Sequence, residues 1–161
     1  MSPQEAVQMV PTTPVEVLTH DTCWSLLRTT TVGRLAVLVE DHPDLFPINF
    51  GVDHGTVVFR SGQGTKLFAA LSTARVAFEA DGFDPDTGRA WSVVVKGAAR
   101  PISEIDELTD TVDLPIFPWQ AGDKGHFVRI TPSEVTGRRF TVADPDVWRT
   151  PATRAPRSAT E

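Results

Sequence analysis

The chain has 161 residues, of which 40% are hydrophobic and 22% are charged, a composition typical of one soluble globular domain with a proper core. Its formal net charge of −6 argues against an extended nucleic-acid interface, which needs a basic face. The single cysteine excludes an intramolecular disulfide, and with no signal-peptide pattern and no apolar run of the ~20 residues that span a membrane, we expect a cytoplasmic protein without a membrane partner.

Three parts of the chain differ in composition. Residues 1–17 hold three prolines and little periodicity, so they predict a flexible N-terminal arm. Residues 18–143 carry the periodic apolar patterns and predict the folded domain. Residues 144–161 are rich in Pro, Thr, Arg and Ala, with too few apolar groups to offset the entropy of ordering, and they predict a disordered tail.

Within the folded part, Thr19 is placed to cap a first short helix, and further short helices are predicted from Thr65 and after Ser103. Apolar runs bounded by turn residues predict strands at residues 34–39, 46–52, 56–60, 75–80, 90–102, 127–130 and 135–141. Clusters of Asp, His, Pro and Gly predict turns at residues 41–44, 53–55 and 81–88. Residues 90–102 are the longest predicted strand, and Gly97 within it predicts a bulge or a bend. Joined mostly by hairpins, these strands predict an antiparallel barrel.

The most informative stretch is residues 56–71, where an apolar strand leads through a glycine loop into a helix. Two glycines in the loop let the backbone turn tightly and approach an anion closely, and the helix start offers backbone N–H groups. The side-chain donors are Arg60, Ser61, Thr65 and Lys66. The stretch is neither a Walker loop nor a dinucleotide fingerprint, so its residues alone fit either a phosphate site or a surface turn with solvated basic side chains.

Four segments occur in an order and at spacings that resemble the pyridoxamine 5′-phosphate oxidase-like, FMN-binding split-barrel proteins. They are Val-Gly-Arg-Leu-Ala at 32–36, Pro-Ile-Asn-Phe at 47–50, residues 59–67 and residues 91–97. The likeness covers about residues 15–140. It implies a mainly β protein, a six-stranded antiparallel split β-barrel with short flanking helices. It also implies a homodimer with FMN at the subunit interface, acting as an oxidoreductase on a small-molecule substrate.

The resemblance assigns roles to individual residues. Positions that bind the FMN phosphate are matched by Arg60, Ser61, Thr65 and Lys66. The strand whose backbone runs beside the isoalloxazine ring is matched by Pro47, Ile48 and Asn49. Ser92 falls where the oxidases usually carry a Gln that hydrogen-bonds the flavin, and a shorter Ser can still donate and accept there. Trp91 beside it is either a wall of the flavin site or a core or interface aromatic.

One departure bears on the substrate. Oxidases that act on pyridoxamine phosphate end in an Arg-x-His motif, whereas this chain has Arg138 and Arg139 at that point and no Arg-x-His. The pattern argues against that activity. The two arginines either reach the cofactor or a substrate anion or form a charged strand edge, and Trp119 is equally open. No side chain is assigned as catalytic.

Other cofactors remain open at this point. A reductase that uses the deazaflavin coenzyme is the closest alternative, and its long acidic tail favours a basic groove outside the pocket, which the sequence does not clearly show. A non-catalytic flavin carrier or sensor is the second alternative, and haem bound through His126 is the last. The four histidines lack metal-ligand spacing, so we expect no metal site.

Overall fold

The computed structural model describes residues 14–61, 71, 75–102 and 126–143. Within them lie one α-helix, α1 (His20–Leu27), and seven strands. The strands are β1 (Glu16–Val17), β2 (Val32–Val39), β3 (His42–Asp53), β4 (Thr56–Ser61), β5 (Arg75–Asp84), β6 (Arg89–Pro101) and β7 (His126–Thr141). The helices predicted from Thr65 and after Ser103, and the tail at 144–161, lie outside the described residues.

Six of these strands close into a ring of antiparallel pairs. The order is β7–β4–β3–β2–β5–β6, and β6 pairs back with β7. This confirms the mainly β, six-stranded antiparallel architecture. Strand β1 lies outside the ring and pairs with β7 through Glu16–Arg139 and Val17–Arg138, so the last two residues of the predicted arm belong to the sheet.

The turn predicted at residues 41–44 is wrong in position. The chain reverses at Glu40 and Asp41, whose φ angles are 48° and 65°. Positive φ at both central residues gives the tight hairpin turn that matches strand twist. Pairing therefore starts at once, with Val39 opposite His42.

The turn predicted at residues 81–88 is also too long, because β5 continues to Asp84. The Asp84 carboxylate accepts a hydrogen bond from the backbone N–H of Asp86 at 2.9 Å and another from the Thr87 hydroxyl at 2.8 Å. These bonds close a compact turn at 85–88. The strand can therefore run up to the residue that caps the turn.

The strands predicted at 127–130 and 135–141 form one strand, β7, whose 16 residues make it longer than β6. At the predicted bulge or bend at Gly97 the β6–β7 register does shift: Lys96 pairs with Glu134 and Gly97 with Pro132, so the extra, unpaired residue is Ser133 on β7. A Cβ on Gly97 would collide with the carbonyl oxygen of Thr131. Pro132 is next to this extra residue, where a strand tolerates proline, and β7 continues through it.

Helix α1 covers one part of the ring and begins as predicted. Thr19 is its N-cap, and its hydroxyl oxygen accepts from the backbone N–H of Thr22 at 3.3 Å. The helix buries Cys23, Trp24 and Leu27 against the apolar side chains that fill the ring. Its contact with β7 is close because residue 137 there is a glycine.

We expect Gly137→Ala to destabilise the fold. A Cβ there would lie 2.6 Å from Cys23 Sγ and 3.0 Å from Leu18 Cδ1, so the helix would have to move away from β7. Overpacking of this kind costs about 1–3 kcal/mol in the free energy of unfolding, measured by urea denaturation. Thr136→Ala, at the exposed neighbouring position, is the control and should change it by less than about 0.5 kcal/mol. Equal losses in both variants would contradict this packing.

Candidate functional site

Three of the predicted flavin contacts lie on the outer face of the ring. Successive strand side chains alternate between the two faces of a sheet. Asn49 lies between Ile48 and Phe50, whose buried side chains belong to the core, so Asn49 faces outwards. Arg60 follows a core phenylalanine and Ser92 precedes a core valine, so both also face outwards. All three are half-buried.

Pairing between β3 and β4 places two of these residues, Asn49 and Arg60, side by side. Asn49 on β3 pairs with Val32 on β2. Phe50 on β3 pairs with Phe59 on β4. Because the strands are antiparallel, Asn49, which precedes Phe50, and Arg60, which follows Phe59, lie on the same side of this pair. The end of β4, where the predicted phosphate donors begin, is therefore next to the predicted flavin-ring strand.

The row of outward residues that begins with Arg60, Asn49 and Val32 continues across β5 to β6, beside a cluster of ion pairs. Arg34 Nη1 donates to Glu79 Oε2 at 2.9 Å and to Asp81 Oδ2 at 3.2 Å. Asp81 pairs with Ser92, which in turn pairs with Arg138. Neighbouring strands lie about 4.8 Å apart, so the path of four intervals along the curved sheet from β4 to β6 is roughly 19 Å long. We call this row the outer band; its members are Arg60, Asn49, Val32, Asp81 and Ser92.

The remaining predicted site residues are placed differently. Pro47 is exposed on the outer face opposite Arg34, whereas the Ile48 side chain belongs to the core and offers only its backbone to the outside. Trp91 packs against the core from the interior side, and its indole lies over Gly82, where a Cβ would come within 2.5 Å of Nε1. Thr65, Lys66 and Trp119 lie outside the described residues.

Arg60 is held in a position suited to an anion. Its guanidinium carbon lies 5.0 Å from the centroid of the Phe127 ring, which is its partner across β4 and β7. Phe127 forms a small buried cluster with Val58 and Ile102 beneath the arginine. The Nε of Arg60 is buried and has no hydrogen-bond partner among the described residues. Ser61 follows it at the end of β4 and is only 3% exposed, because alternation turns its side chain to the interior and leaves its backbone beside Arg60. A fixed guanidinium with an unused donor fits recognition of a phosphate.

A second outward arginine is already neutralised. Arg129 Nη1 donates to Asp53 Oδ2 at 2.9 Å and to the Thr56 hydroxyl at 2.8 Å. Burial alone raises the pKa of the Asp53 carboxyl, but hydrogen bonds from Arg129 and His54 outweigh it, and the net pKa is lowered. This pair ties the β3–β4 hairpin to β7.

A groove of about 960 Å³ opens on the outer face beside the outer band. It includes residues of β2, β5, β6 and β7, and Ala77 in its wall lies on β5 four residues before Asp81 of the outer band. Its cationic side chains are Arg75, Lys96 and Arg100. Lys96 pairs with Glu134 at 3.0 Å, while Arg75 and Arg100 have no carboxylate partner in the part of the chain that the structure describes. The groove is therefore locally basic on an acidic protein.

Sequence reasoning did not single out Arg75, Arg100 or Arg129. Each occupies an outward position in an alternating strand, which is a weak signal that also describes ordinary solvated residues. Only the strand register reveals that Arg100 and Arg129 lie directly opposite each other.

The described ranges hold neither a metal centre nor a membrane-spanning helix. No three His, Cys, Asp or Glu side chains converge there as a metal site. His20 accepts a hydrogen bond from the Trp24 indole at 3.2 Å, and His54 Nδ1 lies 2.6 Å from Asp53 Oδ1, so both have local partners. No helix in those ranges is long and apolar enough to cross a membrane.

Comparison with known proteins gives a family match over the whole ring. The model of the pyridoxamine 5′-phosphate oxidase family matches residues 19–139, from the N-cap of α1 almost to the end of β7. An uncharacterized protein of Mycobacterium tuberculosis is 40% identical over 101 residues, which are 62% of this chain and 90% of that protein.

Two solved structures are similar in both sequence and fold. The FAD binding protein from Mycobacterium smegmatis is 37% identical, with a TM-score of 0.70, over 78% of this chain and 98% of that chain. A conserved protein of unknown function from Corynebacterium diphtheriae is also 37% identical, with a TM-score of 0.65, over 80% of this chain and 99% of that chain.

We expect the Asp53–Arg129 pair to make stability depend on pH. Because the pKa of Asp53 is lowered in the folded state, its contribution is present above the unfolded pKa of about 4 and is lost as pH falls through the folded value. Asp53→Asn should lose on the order of 1–3 kcal/mol at pH 7, and its deficit against the natural protein should shrink below about pH 4. Urea unfolding between pH 7 and 3 measures this. Asp44→Asn, at an exposed position on β3, is the control, and a pH-independent deficit for Asp53→Asn would rule the pair out as the cause.

Proposed function

Because the chain belongs to the pyridoxamine 5′-phosphate oxidase family, we propose that it binds a flavin, with Arg60 and Ser61 at the phosphate and the outer band at the ring. The observation that carries the proposal is the Arg60 side chain, fixed over Phe127 with a buried Nε that no described residue uses. An arginine can contact two phosphate oxygens at once through its planar fork. Thr65 and Lys66, which follow in the sequence, complete the proposed phosphate site.

The ring end of the proposed site uses backbone and small polar groups. Pro47, Ile48 and Asn49 present their strand on the outer face beside Arg60. Ser92 at the far end of the outer band supplies a hydroxyl that can donate or accept. We propose FMN as the cofactor. The Mycobacterium smegmatis relative is an FAD binding protein, and FAD contains the same mononucleotide half.

A bound flavin would supply hydride or electron transfer to a small-molecule substrate, so we propose an oxidoreductase. This chain's part is to anchor the phosphate, orient the ring and exclude water. Asp81 of the outer band and the nearby Glu79 are both held by Arg34, and we assign no catalytic side chain. The missing Arg-x-His motif leads us not to propose pyridoxamine phosphate as the substrate.

We further propose a cytoplasmic homodimer with the flavin at the subunit interface. Leu38 and Leu45 are 61% and 64% exposed on the same outer face as the outer band. Exposed apolar side chains beside a half-buried polar row fit a face that another subunit covers. Light scattering on the purified protein measures the subunit number, and a monomer that still binds flavin would refute the interface site.

A deazaflavin-dependent reductase is the second candidate, and one observation favours it. The acidic tail of that coenzyme needs a basic groove outside the ring pocket, and the groove with Arg75 and Arg100 lies beside the outer band. Competition between FMN and the deazaflavin coenzyme for the same protein would separate the two. Tight flavin binding without turnover of any reductant would instead identify a carrier or sensor.

We expect Arg60→Ala to weaken FMN binding roughly tenfold or more, because a charge-assisted hydrogen bond contributes about 1.5–3 kcal/mol. Arg60→Lys should fall between, since it keeps the charge but loses the planar fork. Titration followed by flavin fluorescence measures the affinities. Arg89→Ala is the matched control, because Arg89 is exposed and pairs with Glu16 at 2.9 Å, away from the outer band.

Arg60 also packs on Phe127, so thermal unfolding of each unliganded variant must accompany the titration. An Arg60→Ala protein that folds normally and binds FMN as well as Arg89→Ala does would place the phosphate elsewhere.

A further inference from the structure

Two exposed phenylalanines lie on either side of an alanine at the far end of the outer band. Phe83 on β5 pairs with Ala90 on β6, and Ala90 pairs with Phe140 on β7. Phe83 is 58% exposed and Phe140 is 38% exposed. Gly82 meets the interior Trp91, so Phe83, the next residue on β5, faces outwards. Residues paired across strands share a face, so all three face outwards, and we call them the aromatic slot.

The spacing of the aromatic slot suits a flat group. Its two phenylalanines are two strand intervals apart, or about 10 Å between their backbones, with only the methyl group of Ala90 between them. Strand side chains stand roughly perpendicular to the sheet. A planar group that contacts both rings at about 3.5 Å needs about 7 Å between them, so it fits in this spacing. Val142, two residues beyond Phe140, is also exposed and adds apolar surface beside the slot.

Arg138 supplies a positive charge beside the slot. It lies two residues before Phe140, about 7 Å along β7 and on the same face, and it is directly opposite Ser92. Its side chain is exposed, and no side-chain hydrogen bond or ion pair joins it to another described residue. Arg139 faces the other way, and its Nη1 lies 3.8 Å from Glu16 Oε2. Of these two arginines, Arg138 is therefore the one whose charge is open to a ligand on the outer face.

The aromatic slot lies across the outer band from the end where a second subunit is proposed to bind. Leu45 pairs with Ala36, which pairs with Ala77 on β5. Ala77 comes four residues before Asp81 of the outer band, whereas Phe83 comes two residues after it. About 20 Å of β5 therefore separates the two levels, and a subunit that covers Leu45 need not cover the slot.

We propose that the aromatic slot and Arg138 bind the substrate, and that this substrate is a planar aromatic carboxylate. Two phenylalanine rings stack on an aromatic group, and a guanidinium holds a carboxylate through two parallel hydrogen bonds. A single arginine matches the single charge of a carboxylate better than the larger charge of a phosphate monoester. The proposal rests on the proposed flavin site, because Ser92, at the ring end of the outer band, lies two residues from Ala90 and opposite Arg138.

The test measures binding of naphthoate, a flat carboxylate, to the full-length protein loaded with FMN, by isothermal titration calorimetry. Arg138→Gln should weaken naphthoate on the order of tenfold and change neutral naphthylmethanol by less than about twofold. Phe83→Leu and Phe140→Leu should each weaken both probes roughly threefold, because they lose stacking and keep an apolar side chain. Arg28→Gln is the matched control at an exposed arginine on the C-cap of α1, and it should weaken neither.

The outcomes separate this proposal from the flavin site. If FMN binds and depends on Arg60, but naphthoate does not bind or is indifferent to Arg138 and both phenylalanines, the substrate site is overturned and the flavin site stands. If FMN displaces naphthoate, the slot holds the flavin ring itself, and its role as a substrate site is wrong. If naphthoate binds through these residues but FMN does not bind, the flavin function fails, and the assignment of this ligand as its substrate fails with it.

Thermal unfolding of each unliganded variant distinguishes a ligand contact from a structural role. The three side chains are exposed, so their substitution should leave the melting temperature nearly unchanged. A variant that melts normally and binds naphthoate less tightly supports the proposed contact. A lower melting temperature together with equal losses of FMN and naphthoate would mean that the side chain supports the fold and does not contact the ligand.

Discussion

The double pairing of β7 is the constraint on which the rest of the molecule depends. One edge of this strand pairs with β4 and the other with β6, and this closes six strands into a ring. A closed ring has no free edges between its members, so its register cannot slip without breaking pairs on both sides. The register shift at Gly97 leaves β6 and β7 paired on both sides of it. Once the ring is closed, the outward residues of every strand are fixed in rows.

Much of the fold follows from local patterns, and the errors have local causes. Alternation located each strand of the ring, Thr19 was correctly interpreted as a helix cap, and Gly97 marks the irregularity in the β6–β7 pairing. The pattern misplaced strand ends where polar residues take part in pairing: His42 begins β3 and Asp84 ends β5. Composition marks these residues as turn formers, but tight turns next to them leave them free to pair with the neighbouring strand.

The candidate site could be predicted only in part, and the reason differs from the one that misplaced the strand ends. Arg60 and Ser61 stand out because donors for a phosphate are close together in the sequence. Arg75, Arg100 and Arg129 come from three different strands, and nothing local distinguishes them from solvated side chains. Their proximity is a property of register, which depends on pairing across the whole ring. The net charge of −6 also gave no indication of a basic groove, because a net charge does not say where the individual charges lie on the molecule.

The contact between α1 and Gly137 gives the protein an internal reporter. Cys23 is only 1% exposed, and burial raises the pKa of its thiol, so the closed molecule keeps it unreactive. It is the only cysteine in the sequence. A thiol reagent can therefore modify this protein only after the helix leaves the ring, and the rate of modification counts those openings. If a ligand slows this labelling, the decrease in the rate measures how much the ligand stabilises the closed state, and no spectroscopic tag is needed.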